Sequence, residues 1–273
     1  MKQSKATIRK RQQAILDLLQ SDAHRTVSAA EIAEETGVSL STVRRDLLML
    51  AKKQLILRTH RGAQALDAAT YFENALRQRR QALAKRAASY VKNDDIVFVN
   101  SSRTAISAIC YIDPHNFVTV ITNNGNALTL ERGPNISLIL TGGSTKLPKA
   151  AMTGEYAINN LERTRASLTI LGISGIDIDA GLTTENIEEV AINQLMLSQK
   201  YTNRRVIVAD SAKIGHKASF LSGPISEMDV LITDAEIDQK IVRTLRKKGI
   251  LVDIVRDGIH LQKTDPIKKT KEI

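Results

Sequence analysis

The chain has 273 residues, of which 42% are apolar and 25% are charged, with a formal net charge of +10. This composition excludes general disorder, and the length is enough for two modest domains. Cys110 is the only cysteine, which excludes a disulfide scaffold, and its apolar neighbours predict a buried thiol in a reducing compartment. Because no apolar run approaches the ~20 residues of a membrane helix and no signal peptide is recognisable, we expect a cytoplasmic protein with no membrane partner.

The positive charge is concentrated in the first third of the chain. Up to Ala65, twelve Lys and Arg residues face six Asp and Glu residues, and from Leu66 to Tyr90 five bases face two acids. The remainder is near neutral. A basic segment next to a near-neutral one is typical of a nucleic-acid-binding module joined to a partner domain. A solvated basic surface is the alternative that charge alone leaves open.

The basic segment predicts a helix, a short turn and a further helix. Apolar residues recur at helical spacing over residues 7–20, and Ser28-Ala29-Ala30-Glu31 has the form of a capping box. The helix that follows this box ends at Gly37, which suits a left-handed helix end. Either Ser39 or Ser41 caps the next helix. This is the pattern of a helix-turn-helix, with an ordinary three-helix bundle as the alternative.

The last of these helices is expected to enter the major groove of DNA, where its first residues read base edges. Arginine suits the O6 and N7 atoms of guanine, and Ser and Thr reach bases or phosphates. Two short strands around a basic turn follow at residues 55–63 and predict a wing. The predicted DNA-binding residues are Ser39, Ser41, Thr42, Arg44, Arg45, Arg58, His60 and Arg61. We expect Asp46 to orient Arg44, Arg45 or another base on the same face by an ion pair.

These motifs closely resemble the DeoR family of bacterial winged helix-turn-helix regulators. The resemblance rests on Gly37-Val38-Ser39, on Ser41-Thr42-Val43-Arg44-Arg45-Asp46-Leu47, and on Leu55-Ile56 followed by Arg58, His60, Gly62 and Ala63. The chain departs from the family at Gln54 and Arg61, where glycine is usual. Because arginine disfavours a positive φ, we expect the wing turn to differ.

Residues 66–92 predict a helical linker with an apolar stripe. One interpretation is a plain surface helix that covers the next domain, and the other is a helix that couples two domains. The predicted organisation is a winged helix-turn-helix domain over 1–65, this linker, an α/β effector-binding domain over 93–262, and a disordered basic tail over 263–273.

Short apolar, β-branched runs alternate with helical stretches from Asp95 onward. Candidate strands lie at 96–99, 118–121, 136–140, 168–171, 206–209, 230–232 and 251–255. The fold class is therefore α/β, with a largely parallel sheet covered by helices on both faces. Ligands in such folds bind outside the carboxyl ends of the strands.

Polar residues follow almost every candidate strand. Ser101–Thr104 comes before a helix start and suits a phosphate, to which Arg103 adds an ion pair. Turn chemistry alone explains any one of these polar ends, whereas six in one sheet favour a charged, polyhydroxylated ligand. The predicted effector-binding residues are Ser101, Ser102, Arg103, Thr104, Thr122, Asn123, Gly142, Gly143, Gly175, Glu185, Asp210 and Lys213.

The DeoR resemblance continues through this domain, which in the family is similar to phosphopentose isomerases and binds phosphorylated sugars. The matching pieces are Thr122-Asn123, Gly142-Gly143, Gly154, Gly175, Gly181, Asp210-Ser211-x-Lys213 and Ile232-Thr233-Asp234. The family usually has Asp-Ser-Gly-Thr-Thr where this chain has Asn100-Ser101-Ser102-Arg103-Thr104. Loss of a carboxylate and gain of a cation favour an anionic ligand, and the changed backbone is equally consistent with another effector class.

The resemblance implies a transcriptional regulator that represses a carbohydrate-utilisation operon. It would bind double-stranded operator DNA as a homo-oligomer, a dimer or a tetramer, with an affinity altered by a phosphorylated sugar. We expect no cofactor, no metal and no catalytic residue. The alternative is a sugar-phosphate isomerase-like enzyme with an appended DNA-binding module, in which Asp210, Asp234, Glu185 and Lys213 supply acid and base groups. That alternative leaves the basic winged module unexplained.

Overall fold

The computed structural model describes residues 4–21, 25–146 and 150–256, which fold into two units. The first unit ends at Gln78 and the second begins at Arg79. This boundary falls inside helix α4 (Ala68–Ala88), which occupies most of the segment predicted as a helical linker. The predicted basic tail, residues 263–273, lies outside the described residues.

The described residues of the first unit form three helices, the first part of α4 and three short strands. Its elements are α1 (Lys5–Gln20), β1 (Val27–Ser28), α2 (Ala29–Thr36), α3 (Leu40–Lys52), β2 (Ile56–Arg58) and β3 (Gly62–Ala65). The strands form an antiparallel sheet in the order β1-β3-β2, and β2 and β3 are the predicted wing. The core holds Ile15, Leu19, Ile32, Val43, Leu47 and Leu50, all at most 2% exposed.

Local sequence signals fix the ends of these helices. Ser28 and Glu31 form the predicted capping box at the start of α2, and Gly37 ends that helix in the left-handed conformation at φ 65°. The Ser39 hydroxyl accepts a hydrogen bond from the Thr42 N–H, so Ser39, and not Ser41, is the cap of α3. Each signal satisfies backbone groups that the helix itself leaves unpaired.

The two departures from the family pattern have different outcomes. Among the described residues, positive φ outside glycine occurs at Gln54, Asp94 and Ala150, and so not at Arg61. The arginine is therefore compatible with its wing turn. Gln54, by contrast, adopts φ 56° where the family usually has glycine. A left-handed conformation costs a non-glycine residue roughly 1–2 kcal/mol, which the hydrogen bonds of Gln54 offset in part.

The second unit is built on seven parallel strands. They are β4 (Ile96–Val99), β5 (Val118–Thr122), β6 (Ile136–Leu140), β9 (Leu168–Gly172), β12 (Arg205–Val208), β14 (Val230–Asp234) and β15 (Leu251–Val255). All seven were predicted. The sheet order is β15-β14-β12-β9-β4-β5-β6, which places β9 and β4 near its centre.

Helices cover both faces of this sheet. They are α5 (Arg103–Ser107), α6 (Glu155–Glu162), α7 (Val190–Leu197) and α8 (Gln239–Lys247), together with the second part of α4. Side chains of β4 alternate between the two faces, because Phe98 packs with α6, α7 and α8 while Val97 and Val99 pack with α4 and α5. None of the helices formed by described residues is both long and apolar enough to cross a membrane.

Six short strands were not predicted from the sequence: β1 in the first unit and five in the second. β7 (Ser144–Lys146) pairs with β8 (Ala151–Thr153), and β10 (Gly175–Asp177), β11 (Gly181–Thr184) and β13 (Phe220–Gly223) form an antiparallel sheet in that order. The prediction of a buried Cys110 was wrong. Its segment Ala108–Tyr111 is a 3-10 turn that buries Ala108 and Ile109 and leaves Cys110 exposed.

Candidate functional site

A cationic groove of about 330 Å³ lies in the first unit, between α3 and the wing. Among the residues that line it are four of the predicted DNA-binding residues: Arg44, Arg58, His60 and Arg61. Each of the four is exposed. These side chains are therefore accessible to a phosphate or a base edge. The wing places the cations Arg58 and Arg61 in the same groove as Arg44 of α3.

The other four predicted DNA-binding residues lie on α3 or at its start. Ser41 and Arg45 are exposed, whereas the Ser39 hydroxyl lies 3.0 Å from the Ser41 hydroxyl and 2.9 Å from that of Thr42. Ser39 is thus already engaged as the helix cap. Ser41 and Arg45 lie one helical turn apart on the outer face of α3.

The predicted ion pair of Asp46 is present, but the predicted partners on the DNA-facing side of α3 were wrong. Asp46 is 2% exposed and pairs with Arg11 of α1 at 2.5 Å, while its second oxygen accepts a hydrogen bond from Gln12 at 3.1 Å. It lies on the inward face of α3, three residues after buried Val43 and four before buried Leu50. Its side chain therefore fastens α3 to α1 and does not orient Arg44 or Arg45. The helical spacing of these inward residues is the signal that sequence reasoning missed.

The carboxyl end of α3 is bonded to the first part of α4. The Asn74 amide donates to the Gln54 carbonyl at 2.7 Å, and the Gln78 amide donates to the Lys53 carbonyl at 3.3 Å. Arg77 also donates to the side chain of Gln54. Within the first unit, α4 thus holds the end of the helix that carries the predicted base-reading residues.

In the second unit, Asn100 clamps the end of β4 to the end of β9. Its amide donates to the Gly172 carbonyl at 2.8 Å and to the Asn193 side chain at 3.1 Å, and its oxygen accepts from the Gly172 N–H at 2.9 Å. An aspartate carboxylate at this position has no hydrogen to donate to the two acceptors. The departure from the family motif is therefore matched by a local network that an amide satisfies.

The segment Ser101–Thr104 begins a short helix, α5, of five residues. Ser102 has φ −62°, so this position does not require glycine. Its side chain occupies the space left by Gly172, where a Cβ would lie 1.9 Å from the Ser102 hydroxyl oxygen. Arg103 is exposed, while Thr104 is buried. The predicted phosphate loop thus carries one accessible cation on a backbone packed against β9.

Several predicted effector residues have structural partners of their own. The Thr122 hydroxyl accepts from the Asn124 N–H, and a Cβ at Gly143 or at Gly175 would meet a backbone oxygen at 2.4 or 2.5 Å. Gly142 is left-handed at φ 70°, and a Cβ there would meet the Asn160 amide nitrogen at 3.9 Å, an ordinary van der Waals distance. Close backbone packing is therefore enough to account for Gly143 and Gly175.

Asn123 has a feature that packing does not explain. It is 1% exposed, and its amide donates to the Met152 carbonyl at 3.1 Å. Its side-chain oxygen has no hydrogen-bond partner among the described residues. A buried acceptor without a donor costs free energy, so a hydroxyl or N–H of a ligand is a fitting partner at the end of β5.

Lys213 is the centre of a charged cluster at the carboxyl ends of the strands. Burial lowers the pKa of Lys213, the charges of Arg80 and Arg103 lower it further, and Asp210 and Glu185 raise it. The structure thus groups four predicted residues, Lys213, Arg103, Asp210 and Glu185. Arg80 was not predicted, because it lies on helix α4 and the predicted effector residues were those that follow the strands.

The two units together define a class of protein. A winged helix-turn-helix with an exposed cationic groove binds DNA, and a parallel α/β sheet with a charged cluster at its carboxyl edge binds a small ligand, so this is a ligand-responsive transcriptional regulator. Residues 11–69 match the model of the DeoR-like helix-turn-helix domain, and residues 76–235 match that of the DeoR C terminal sensor domain. The chain belongs to the DeoR family.

Relatives agree with this assignment over nearly their whole length. The HTH-type transcriptional regulator GolR of Listeria innocua is 31% identical, over 89% of this chain and 97% of its own. The glycerol-3-phosphate regulon repressor of Escherichia coli is 28% identical, over 89% of this chain and 98% of its own. The chain is a transcriptional regulator and not an enzyme.

Similarity to a solved isomerase is weak. Ribose 5-phosphate isomerase A from Methanocaldococcus jannaschii matches with a TM-score of 0.36 and 14% identity, over 50% of this chain and 54% of that one. At this level the similarity carries no conclusion about activity.

Proposed function

We propose that this regulator represses a carbohydrate-utilisation operon and that a phosphorylated sugar, bound in the second unit, changes its affinity for the operator. The observation that carries the proposal is the cluster of Lys213, Arg103 and Arg80 at the carboxyl edge of the sheet. The name of the Escherichia coli relative, which refers to glycerol 3-phosphate, supports the same ligand class.

The charges of the cluster favour a ligand with one anionic group and several hydroxyls. The ammonium group of Lys213 is partly desolvated, and the charges of Arg80 and Arg103 oppose its charged form. A phosphate bound beside these three cations would reduce their repulsion and favour the charged form of Lys213. Asp210 and Glu185 offer acceptors for hydroxyl groups, and the Asn123 oxygen offers another. A bare inorganic anion would leave these acceptors unused.

The proposed effector contacts are the predicted residues and one addition. Lys213, Arg103 and Arg80 attract the phosphate, with Ser101, Ser102 and Thr104 beside it. Asp210, Glu185, Asn123 and Thr122 lie toward the hydroxyl groups, and Gly142, Gly143 and Gly175 allow close backbone approach.

DNA binding is proposed to use α3 and the wing together. Ser41, Thr42, Arg44 and Arg45 face the bases, while Ser39, Arg58, His60 and Arg61 contact the backbone. A helix-turn-helix generally reads two half-sites about 34 Å apart, so we propose a dimer or a tetramer acting in the cytoplasm.

Alanine substitution of Arg44 or Arg45 tests which arginine reads a base. We expect the base-reading arginine to lose ~1–3 kcal/mol of binding free energy on operator DNA and less on random DNA. The operator is a duplex selected from a random library by the wild-type protein, and affinities are measured by fluorescence anisotropy at fixed salt. Lys52→Ala, at the exposed last turn of α3, is the matched control.

The two DNAs separate the outcomes of this experiment. An equal loss on operator and random DNA makes the arginine a phosphate contact. No loss for either variant on either DNA contradicts the assignment of α3 as the recognition helix.

A further inference from the structure

A buried arginine of α4 is fastened to the carboxyl end of β14. Arg79 has a side chain only 5% exposed, donates to Glu236 at 2.6 Å and lies 3.5 Å from a carboxylate oxygen of Asp234. Asp234 is the last residue of β14, and its carboxylate is 6% exposed. The second unit therefore begins with a charged side chain anchored at the edge of the sheet where the charged cluster lies.

The same Asp234 carboxylate holds the turn that carries Lys213. Its Oδ2 atom, the one nearest Arg79, also accepts a hydrogen bond from the Ser211 N–H at 2.8 Å. Its Oδ1 atom accepts from the Glu236 N–H at 3.0 Å. Ser211 is the first residue of the 3-10 turn Ser211–Lys213, so this carboxylate is bonded to the start of the turn that carries Lys213. One carboxylate oxygen is thus shared between α4 and the turn at the proposed effector site.

The contacts of Arg79 are incomplete. Its Nε atom is buried and has no hydrogen-bond partner among the described residues. The 3.5 Å contact to Asp234 is long for a charge-assisted hydrogen bond, which is normally ~2.7–2.9 Å. A buried donor left unpaired is costly, so an arrangement of the Arg79 side chain that pairs Nε would recover part of that cost. The anchor of α4 is therefore one hydrogen bond short of full pairing.

The amino-terminal part of the same helix holds the end of the recognition helix. Asn74 and Gln78 donate to the carbonyls of Gln54 and Lys53, as described above. Gln78 and Arg79 are consecutive in the sequence. Bonds to the end of the recognition helix and bonds to Asp234 and Glu236 are thus made from neighbouring positions of one helix.

We propose that Arg79 is a positioning residue that couples the two sites through α4. A phosphate at Lys213 moves the Ser211–Lys213 turn, the shared Asp234 carboxylate shifts, and Arg79 exchanges partners and moves α4. The bonds from Asn74 and Gln78 then transmit this movement to the end of α3. The inference rests on the proposed function, which supplies the ligand and the change in operator affinity.

A purely structural ion pair is the competing explanation, and stability alone does not separate the two. The diagnostic quantity is the coupling factor, the ratio of operator affinities without and with the effector probe. A structural role lowers stability and leaves this ratio unchanged in the folded protein. A coupling role changes the ratio while each site still binds its own partner.

The experiment uses the full chain with Arg79→Gln, Arg79→Lys and Glu236→Gln, and with Lys85→Gln as the control. Lys85 is an exposed cation on the same helix. Operator affinity is measured with no addition and with saturating glycerol 3-phosphate, a pentose 5-phosphate, a hexose 6-phosphate or inorganic phosphate. Binding of each probe to the free protein is measured by calorimetry. Glu236→Gln serves if the Arg79 variants fail to fold, because Glu236 is 29% exposed and glutamine there still offers Arg79 an acceptor oxygen.

We expect Arg79→Gln to bind operator and probe as the wild type does, and to lose about 2- to 30-fold of the coupling factor. Arg79→Lys, which retains the charge, is expected to recover part of it, and Lys85→Gln to lose none. A wild-type coupling factor in Arg79→Gln and in Glu236→Gln overturns the inference and leaves the proposed function standing. If no probe changes operator affinity in the wild type, the proposed function fails and the inference fails with it.

Discussion

Replacing Asp46 with alanine is expected to destabilise the first unit by about 3–5 kcal/mol. The substitution removes the carboxylate that pairs with Arg11, whose side chain is 10% exposed, and also the acceptor oxygen of the buried Gln12 amide. Removal of one member of a buried ion pair is costly because it no longer offsets the desolvation of the other. Since the unit is small, a loss of this size is a large fraction of its free energy of unfolding.

Hydrogen exchange is the measurement for this prediction, because a two-unit chain need not unfold in one step. Amides of α1 and α3 should lose protection in Asp46→Ala, while those of the central strands β4 and β9 should keep it. Asp46→Asn, which retains one of the two acceptor oxygens, should lose less. Asp17→Ala is the control on the exposed side of α1 and should cost no more than about 0.5 kcal/mol. If Asp46→Ala costs no more than this control, the pair with Arg11 does not fasten α1 to α3.

Replacing Lys213 with methionine is expected to weaken binding of a phosphorylated sugar by about 10- to 150-fold. This range corresponds to the ~1.5–3 kcal/mol of a hydrogen bond to a charged group. The same substitution should raise the thermal midpoint of the ligand-free protein. Burial and two neighbouring cations lower the pKa of Lys213, which means that its charged form opposes folding. A purely structural lysine would show the opposite change in stability.

The pH dependence follows from the direction of this pKa shift. Because the folded-state pKa of Lys213 is below its ordinary value, the charge of Lys213 destabilises the ligand-free protein fully at pH values below that lowered pKa. This cost declines as the pH rises through the lowered pKa and vanishes above the unfolded value. Effector affinity should fall over the same rise in pH, since the neutral amine no longer attracts a phosphate.

A matched control separates the site from its surroundings. Lys217 is exposed and lies four residues further along the chain. Lys217→Met should change neither the thermal midpoint nor the affinity for glycerol 3-phosphate or the other sugar phosphates. Unchanged affinity in Lys213→Met, measured by calorimetry with the probe that binds the wild type most tightly, would remove Lys213 from the effector site.

Local signals made much of the fold predictable from the sequence. The seven parallel strands are short β-branched runs between helical stretches. Such runs are typical of strands that are buried on both faces of a parallel sheet. The capping box of Ser28 and Glu31 and the left-handed Gly37 were read correctly because both depend on neighbours within four residues. The small strands β7, β8, β10, β11 and β13 are each only three or four residues long, which is too short to show a clear alternation of apolar and polar residues.

The site was less predictable, for a physical reason. Asp46 was assigned to an arginine on its own helix, whereas its partner Arg11 is 35 residues away in the sequence. Arg80 and Arg79 act at the carboxyl edge of the sheet from a helix, so a search of strand ends passes over them. Asn100 was read as a lost charge, while its amide in fact joins two strands. Long-range polar partners are set by the fold and leave little trace in local sequence.

The most direct test of the account is reciprocal linkage between operator and effector. Operator affinity is measured with and without each sugar phosphate, and sugar-phosphate affinity is measured with and without operator, at one salt concentration and pH. The account predicts that one phosphorylated sugar changes operator affinity by roughly 5- to 150-fold and that the operator changes the affinity for that sugar by the same factor. A sugar phosphate that binds tightly and leaves operator affinity unchanged would contradict it.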